Sequence, residues 1–232
     1  MTASEPSVPE TIVFLHGLGR TRYSMGALVR EAIKRGYGVV NHGYPSRRAR
    51  IADHASQLRT VVEEVGEAGG RIHFVTHSLG GIIVRAMLAN RSAWPKSLGR
   101  VVMLSPPNQG SELAELLATN RVFQLALGPA AMELGTGPGS TPNQLGAVDF
   151  ELGVITGDRS LLPISKRIFG GPGDGKVSVE RARVEGMRDF LVVRRSHTFI
   201  MRAPDVITAV FDFLESGVFA KSSAGPLNET LT

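Results

Sequence analysis

Between Arg71 and Val84 the chain reads Arg-Ile-His-Phe-Val-Thr-His-Ser-Leu-Gly-Gly-Ile-Ile-Val, and no other stretch narrows the choice of fold so far. Ile72, Phe74 and Val75 are the β-branched and aromatic residues of a buried strand. A sharp turn through Thr76–Gly81 comes next, and an apolar helix is expected from about Ile82. Small residues crowd the bend because strand and helix come close there, and only a missing side chain avoids a clash. A Ser at such a bend has its hydroxyl pushed out at the carboxyl end of a sheet, beside the next residue's N–H. This strand–turn–helix is the nucleophile elbow, usually written G-x-S-x-G. Here Thr76, still a small residue, stands where the first Gly is usual. The plainer alternative is that Ser78 only caps the helix.

The flanking sequence decides what kind of sheet the elbow belongs to. Thr11–Leu15, Tyr37–Asn41, Arg100–Ser105, Leu152–Thr156 and Phe190–Arg194 read as further strands. Helical patterns separate them. Met25–Arg35 places Leu28, Val29, Ala32 and Ile33 on one side, and Ala49–Ala68 does the same with Ile51, Leu58, Val61, Val62 and Val65. A closing helix runs from Pro204, which suits a first helical turn, to about Glu215. Strands alternating with helices, without hairpin signals, imply an α/β fold: a doubly wound, mainly parallel six-stranded sheet with helices on both faces. No repeat, low-complexity segment or linker cuts the chain, so residues 1–232 are expected to form a single domain. The tail from Ser222 is expected to be loose.

Composition closes off several functions. There are no cysteines, which excludes disulfides and thiolate chemistry. The formal charge of +5 is scattered except at Arg47-Arg48-Ala49-Arg50. A nucleic-acid site needs a clustered basic face, so no nucleic-acid partner is expected, and the charge reads as solubility or attraction to anionic surfaces. No apolar run approaches the roughly 18 residues of a membrane span. No His-Glu-x-x-His motif or tight His–carboxylate cluster is present, so neither metal nor cofactor is expected. The first ten residues lack a basic n-region and an apolar h-region. A cytoplasmic location is expected for the sequence as it stands; secretion would require a leader already removed. No feature of the sequence fixes an oligomeric state.

In doubly wound sheets function collects at the carboxyl ends of the strands. His16-Gly17, Tyr44, Ser78, Pro106-Pro107 and the residues after Thr156 are expected there. The long stretch 111–150, between the fourth and fifth strands, opens with a short helix over Glu112–Ala118 and closes in a Gly/Pro-rich segment. Long insertions at this end are commonly lids or pocket walls. Leu113, Leu117 and Phe123 are its candidate substrate-binding residues, with simple packing onto the domain as the alternative.

A Ser hydroxyl is a poor nucleophile until a base takes its proton and a third group orients that base. His197, in Arg195-Ser196-His197-Thr198-Phe199, comes immediately after the last strand and is the candidate base. His16, His42, His54, His73 and His77 sit on the sheet, its loops or the long helix, where structural duties compete. The acid is sought on the connection after the fifth strand, which carries Asp158 and Asp174. Asp174 is favoured because Gly173 and Gly175 expose it and Val177 and Val179 anchor the next segment; Asp158 has Arg159 beside it as a partner. An oxyanion hole needs two converging backbone N–H groups. Leu79 at the start of the elbow helix and Leu18 after Gly17 are the candidates.

With these residues in place the chain resembles the α/β-hydrolase superfamily, and within it the compact bacterial serine lipases and esterases. The resemblance covers roughly Thr11–Phe219. It rests on His16-Gly17, on Thr76-His77-Ser78-Leu79-Gly80-Gly81, on Asp174-Gly175-Lys176-Val177-Ser178-Val179 and on His197, in the order Ser, Asp, His. It implies Ser78 as nucleophile, Asp174 and His197 as its partners, and Leu18 and Leu79 as the hole. The expected activity is hydrolysis of a small-molecule or lipid-like carboxylic ester. Acyl transfer or thioester hydrolysis through the same triad, and a catalytically silent binding module, are the alternatives. Gly170-x4-Gly175-Lys176 nearly spells a phosphate loop, but Val177 replaces Ser/Thr, no clear helix comes after it, and Asp174 would repel phosphate.

Overall fold

The computed structural model describes residues 8–161 and 168–220. The predicted tail from Ser222 and part of the connection that carries Asp158 and Asp174 lie outside them. Six strands form one sheet in the order β2-β1-β3-β4-β5-β6: β1 Thr11–Leu15, β2 Gly38–His42, β3 Ile72–His77, β4 Leu98–Leu104, β5 Leu152–Gly157 and β6 Asp189–Val193. Every neighbouring pair is parallel. The helices of the crossovers are α1 Gly26–Lys34, α2 Ile51–Glu67 and α3 Leu79–Leu88. Between β4 and β5 come α4 Glu112–Ala118, α5 Arg121–Leu127, α6 Pro129–Met132 and α7 Thr141–Gln144, and α8 Pro204–Ser216 closes the described chain.

Period-two alternation sorts the strand side chains into two cores. Ile12, Phe14, Val75, Val102, Leu104 and Ile155 point to the face covered by α1 and α8, where they meet Leu28, Ala32, Val206, Val210, Phe211 and Phe213. Val13, Leu15, Phe74, Val101, Met103 and Val154 point to the other face, against Ile51, Leu58, Val62, Ile82 and Ile83 of α2 and α3. Both faces are dry, which is why these strands carry continuous apolar runs. Each fully buried Leu, Ile or Phe contributes roughly 1.5–3 kcal/mol by leaving water. Ile33 departs from its expected side: it lies 60% exposed on α1.

The strand order reverses at β1. Its following helix α1 covers one face, while α3, following the neighbouring β3, covers the other. The loops leaving β1 and β3 therefore part at their carboxyl ends and open a crevice there. Register keeps the strand ends level: Leu15 pairs with Thr76, Thr76 with Met103, and His77 with Leu104. Residues 16–20, Ser78 and Ser105 all emerge at this edge.

Candidate active site

The elbow is tighter than its sequence implies. β3 continues through His77 and α3 begins at Leu79, so the whole reversal falls on one residue. Ser78 makes it with φ 53° and ψ −121°, a conformation that L-residues adopt at a cost and that recurs at functional sites. Its N–H donates to the Leu104 carbonyl at 2.9 Å, which ties the bend to β4. Gly80 is required by space. A Cβ there would come within 2.9 Å of Leu15, so any larger residue would push α3 away from β1. Gly17 has the same duty on the opposite loop, where a Cβ would lie 2.8 Å from His77 Nδ1 and 3.1 Å from Ser78 Cβ.

The loop after β1 turns back on itself. The Arg20 N–H donates to the Gly17 carbonyl at 3.2 Å, and the Gly19 N–H donates to Ser46 Oγ at 3.0 Å. The Leu18 N–H has no acceptor among the described residues. Across the crevice, Leu79 opens α3, where its N–H has no acceptor among the described residues and the dipole favours negative charge. Tyr44 braces the first loop: its hydroxyl donates to the His16 carbonyl at 2.6 Å, and its ring stacks on His16 at 4.3 Å.

His197 and Asp174 are joined in the interior. His197 Nδ1 lies 2.8 Å from Asp174 Oδ2, and the His197 N–H also donates to the Asp174 carbonyl at 3.0 Å. The other carboxylate oxygen accepts from the Lys176 and Val177 N–H groups, each at 2.9 Å. Burial alone would raise the Asp174 carboxyl, but the His197 charge and these hydrogen bonds outweigh it and hold it below its ordinary value. The Ser105 hydroxyl faces the same carboxylate and adds to the effect, although its geometry falls short of a formed hydrogen bond. Asp158, by contrast, is exposed, and its backbone simply extends the pairing with β6.

His77 packs against this pair. Its ring lies 4.8 Å from that of His197, and Nε2 donates to the His197 carbonyl at 3.0 Å. Burial, with the neighbouring His197 second, keeps it well below the usual histidine range and hence neutral. The tautomer is set by that carbonyl, which can only accept.

Ser78, His77, His197 and Leu18 line one cavity of about 180 Å³. Leu113 and Leu117 of α4 form its apolar wall, with Leu127, Ala131 and Leu134. Phe123 does not belong to it. It sits 44% exposed on α5, and Leu127, one turn further on, takes the place expected for it. Hollows of about 380 and 530 Å³ lie elsewhere, but neither contains Ser78 or His197. Ser105 and the cations Arg20, Arg47 and Lys176 also reach this site and escape a reading of the sequence, which places Tyr44 at this edge without a duty. Two of the cations stand in plain view, since Arg20 ends the Gly17 loop and Lys176 sits two residues after Asp174.

A parallel doubly wound sheet with a serine elbow on the strand next to its reversal is the architecture of the α/β hydrolases. The chain belongs to the alpha/beta hydrolase family, whose model matches residues 12–214. Among solved structures it is similar to the mature lipase BlEst2 of Bacillus licheniformis, with a TM-score of 0.70 and 20% identity over 90% of this chain and 92% of that one. The propeptide form of that lipase aligns with a TM-score of 0.73 and 20% identity over 98% of this chain, which spans 53% of its length. A monoacylglycerol lipase of Paleococcus ferrophilus aligns with a TM-score of 0.60 and 18% identity, covering 90% of this chain and 96% of that one. At such identities the likeness is one of fold. No curated protein matches the chain by sequence. Among the described residues no helix is long and apolar enough to cross a membrane.

Proposed function

We propose that the protein is a serine carboxylester hydrolase of the lipase or esterase kind, working through an acyl-enzyme on Ser78. The observation that carries this reading is the buried 2.8 Å contact between His197 and Asp174 beside a serine held at φ 53°. His197 takes the Ser78 proton as Oγ bonds to the ester carbonyl carbon, and Asp174 stabilises the imidazolium. The carbonyl oxygen, now negative, is held by the Leu18 and Leu79 N–H groups. The carbon–alkoxy bond breaks as His197 passes the proton to the departing alcohol. Water then repeats the sequence, releasing the acid and restoring Ser78. Backbone N–H groups supply the electrophile, so neither metal nor cofactor is needed.

The cavity is smaller than the roughly 300–1,000 Å³ typical of drug-sized ligands, which favours acyl chains of short to medium length against Leu113 and Leu117. The decisive test is Ser78→Ala assayed on p-nitrophenyl butyrate. A loss of roughly 10⁴ or more in kcat is expected with the fold retained, together with loss of labelling by an organophosphonate ester. Activity near wild type in that variant, or abolition of wild-type activity by EDTA, would remove the proposal.

A further inference from the structure

The cavity at Ser78 is lined by apolar side chains and by cations. Leu113, Leu117, Leu127 and Leu134 come from α4, α5 and the α6 region; Arg20, Arg47 and Lys176 are the cations, and no carboxylate lines the cavity among the described residues. The three cations come from three separate loops: after β1, after β2, and beside the buried acid. Among the described residues the Arg20 and Lys176 side chains make no hydrogen bond or ion pair. The Arg47 side chain donates to the Ala126 carbonyl at 3.3 Å, its one hydrogen bond among the described residues.

Lys176 is placed there by its backbone. Its N–H donates to Asp174 Oδ1 at 2.9 Å, and its carbonyl accepts from Ser111 Oγ at 2.7 Å. The side chain emerges exposed at the rim. Desolvation and then the Arg20 charge push the Lys176 ammonium down, and desolvation and then Arg202 push Arg20 down. Asp174 acts on Lys176 in the opposite sense, but its two oxygens already serve His197 and two backbone N–H groups. Glu112, on the adjoining helix, is engaged by Arg181 and Ser178. Cations gathered without a counter-charge repel one another. A bound anion would relieve that repulsion.

Within the serine esterase reading, on which this rests, we propose that the preferred substrate is an ester whose alcohol half carries a phosphate or carboxylate, held by Arg20 and Lys176. The alcohol half is indicated because its oxygen must lie beside His197, which returns the proton to it. His197 and Lys176 issue from the two segments that meet at Asp174. The leucines of α4, α5 and the α6 region are left for the acyl chain.

The test compares kcat/KM for the butyrate monoesters of glycerol, glycerol 3-phosphate and glyceric acid, at about 20 mM and about 300 mM NaCl. At least one anionic ester is expected to exceed the neutral one about tenfold at low salt, mainly through KM, as a charge-assisted contact of this kind provides. Which anion leads separates phosphate from carboxylate. High salt should shrink the ratio. Arg20→Gln and Lys176→Gln should each bring it toward one, while Arg91→Gln, a surface variant at the Asp149 ion pair, should leave it unchanged. Thermal melts check that each variant folds. A wild-type ratio of one or less, or a ratio indifferent to Arg20 and Lys176, overturns this proposal while Ser78-dependent hydrolysis of the neutral ester keeps the esterase reading. Absence of Ser78-dependent turnover on all three esters overturns both.

Discussion

Asp174 and Asp158 lie on one connection after β5, but only Asp174 is buried against an imidazole. Its surroundings dictate what an amide would do there. Oδ1 accepts two backbone N–H groups, from Lys176 and Val177. In Asp174→Asn the amide oxygen must stay on those donors, which turns the NH2 group toward His197 Nδ1. The imidazole is then forced to carry its proton on Nε2, where the proposed mechanism requires a base for Ser78. A fall of roughly 10⁴ in kcat is expected from such a tautomer exchange, with Tm little changed. Asp158→Asn should keep most activity, and kinetics on the two variants decide between them; the reverse result would move the acid to Asp158. The candidates Ser78, Asp174 and His197 can be picked out of the sequence because turn chemistry and chain order mark them. The glycines beside Asp174 act in the opposite sense to the one their sequence suggests. They do not expose it, since the residue is only 2% accessible. A Cβ on Gly173 would lie 2.8 Å from Phe169 and 2.9 Å from the Val177 carbonyl, so glycine there permits close packing. The duties of Ser105, Tyr44 and His77 leave no local signal, because each acts on a partner distant in sequence.

The excursion between β4 and β5 is tied down by Arg85 of α3. The side chain is 3% exposed and donates to the carbonyls of Asn108 (2.8 Å), Pro142 (3.2 Å) and Gly146 (2.6 Å), with Asn108 Oδ1 at 3.2 Å. No carboxylate pairs with it among the described residues, and burial lowers its pKa to about 10. Carbonyl dipoles alone solvate the guanidinium. Arg85→Leu removes the charge but strands these buried acceptors, at a cost of about 2–4 kcal/mol. For a chain of this size that is a Tm loss of roughly 5–15 °C by calorimetry or circular dichroism. A change under about 2 °C would show that water replaces the guanidinium without loss. The long strands and α1, α2 and α8 are readable to within a few residues because their periodicity spans several turns or a whole buried strand. The helices α5, α6 and α7 are not, being seven, four and four residues long. Caps are their visible trace: Asn120 accepts from the Val122 N–H at 2.9 Å, at the start of α5. The end of α5 is set by tertiary contact. Gly128 has φ 79°, and a Cβ there would fall 1.8 Å from the Arg47 carbonyl, a contact that no local pattern foretells.

Across the molecule five of the six histidines share one electrostatic condition. Burial, the largest cause in each case, lowers the pKa of His16, His42, His54, His73 and His77. They occupy β2, β3, the β1 loop and α2, so the effect belongs to the fold and not to one site. Their folded pKa values lie below the roughly 6.5 of an unfolded histidine. The unfolded chain therefore binds more protons as pH drops, and stability must fall with it. The contribution is fully present above about pH 6.5 and is lost as pH descends from there toward the folded values. Asp174 has the same sign, but its window opens only below the ordinary aspartate value of 3.8, so the histidines move first. Acid also adds to a chain already at +5, which increases self-repulsion in the compact state. Tm should be nearly flat between pH 7 and 8 and decline steadily from about pH 6.5 to 5. His54 isolates the cause, because neither of its buried ring nitrogens has a formed hydrogen bond and its ring sits edge-on to Tyr44 at 4.9 Å. His54→Leu keeps the apolar contacts and removes one titrating group, so its Tm should fall less steeply with acid than that of the wild type. A wild-type Tm that holds or rises from pH 8 to 5, or a His54→Leu profile parallel to it, would mean that these rings take up protons in the folded state as readily as in water.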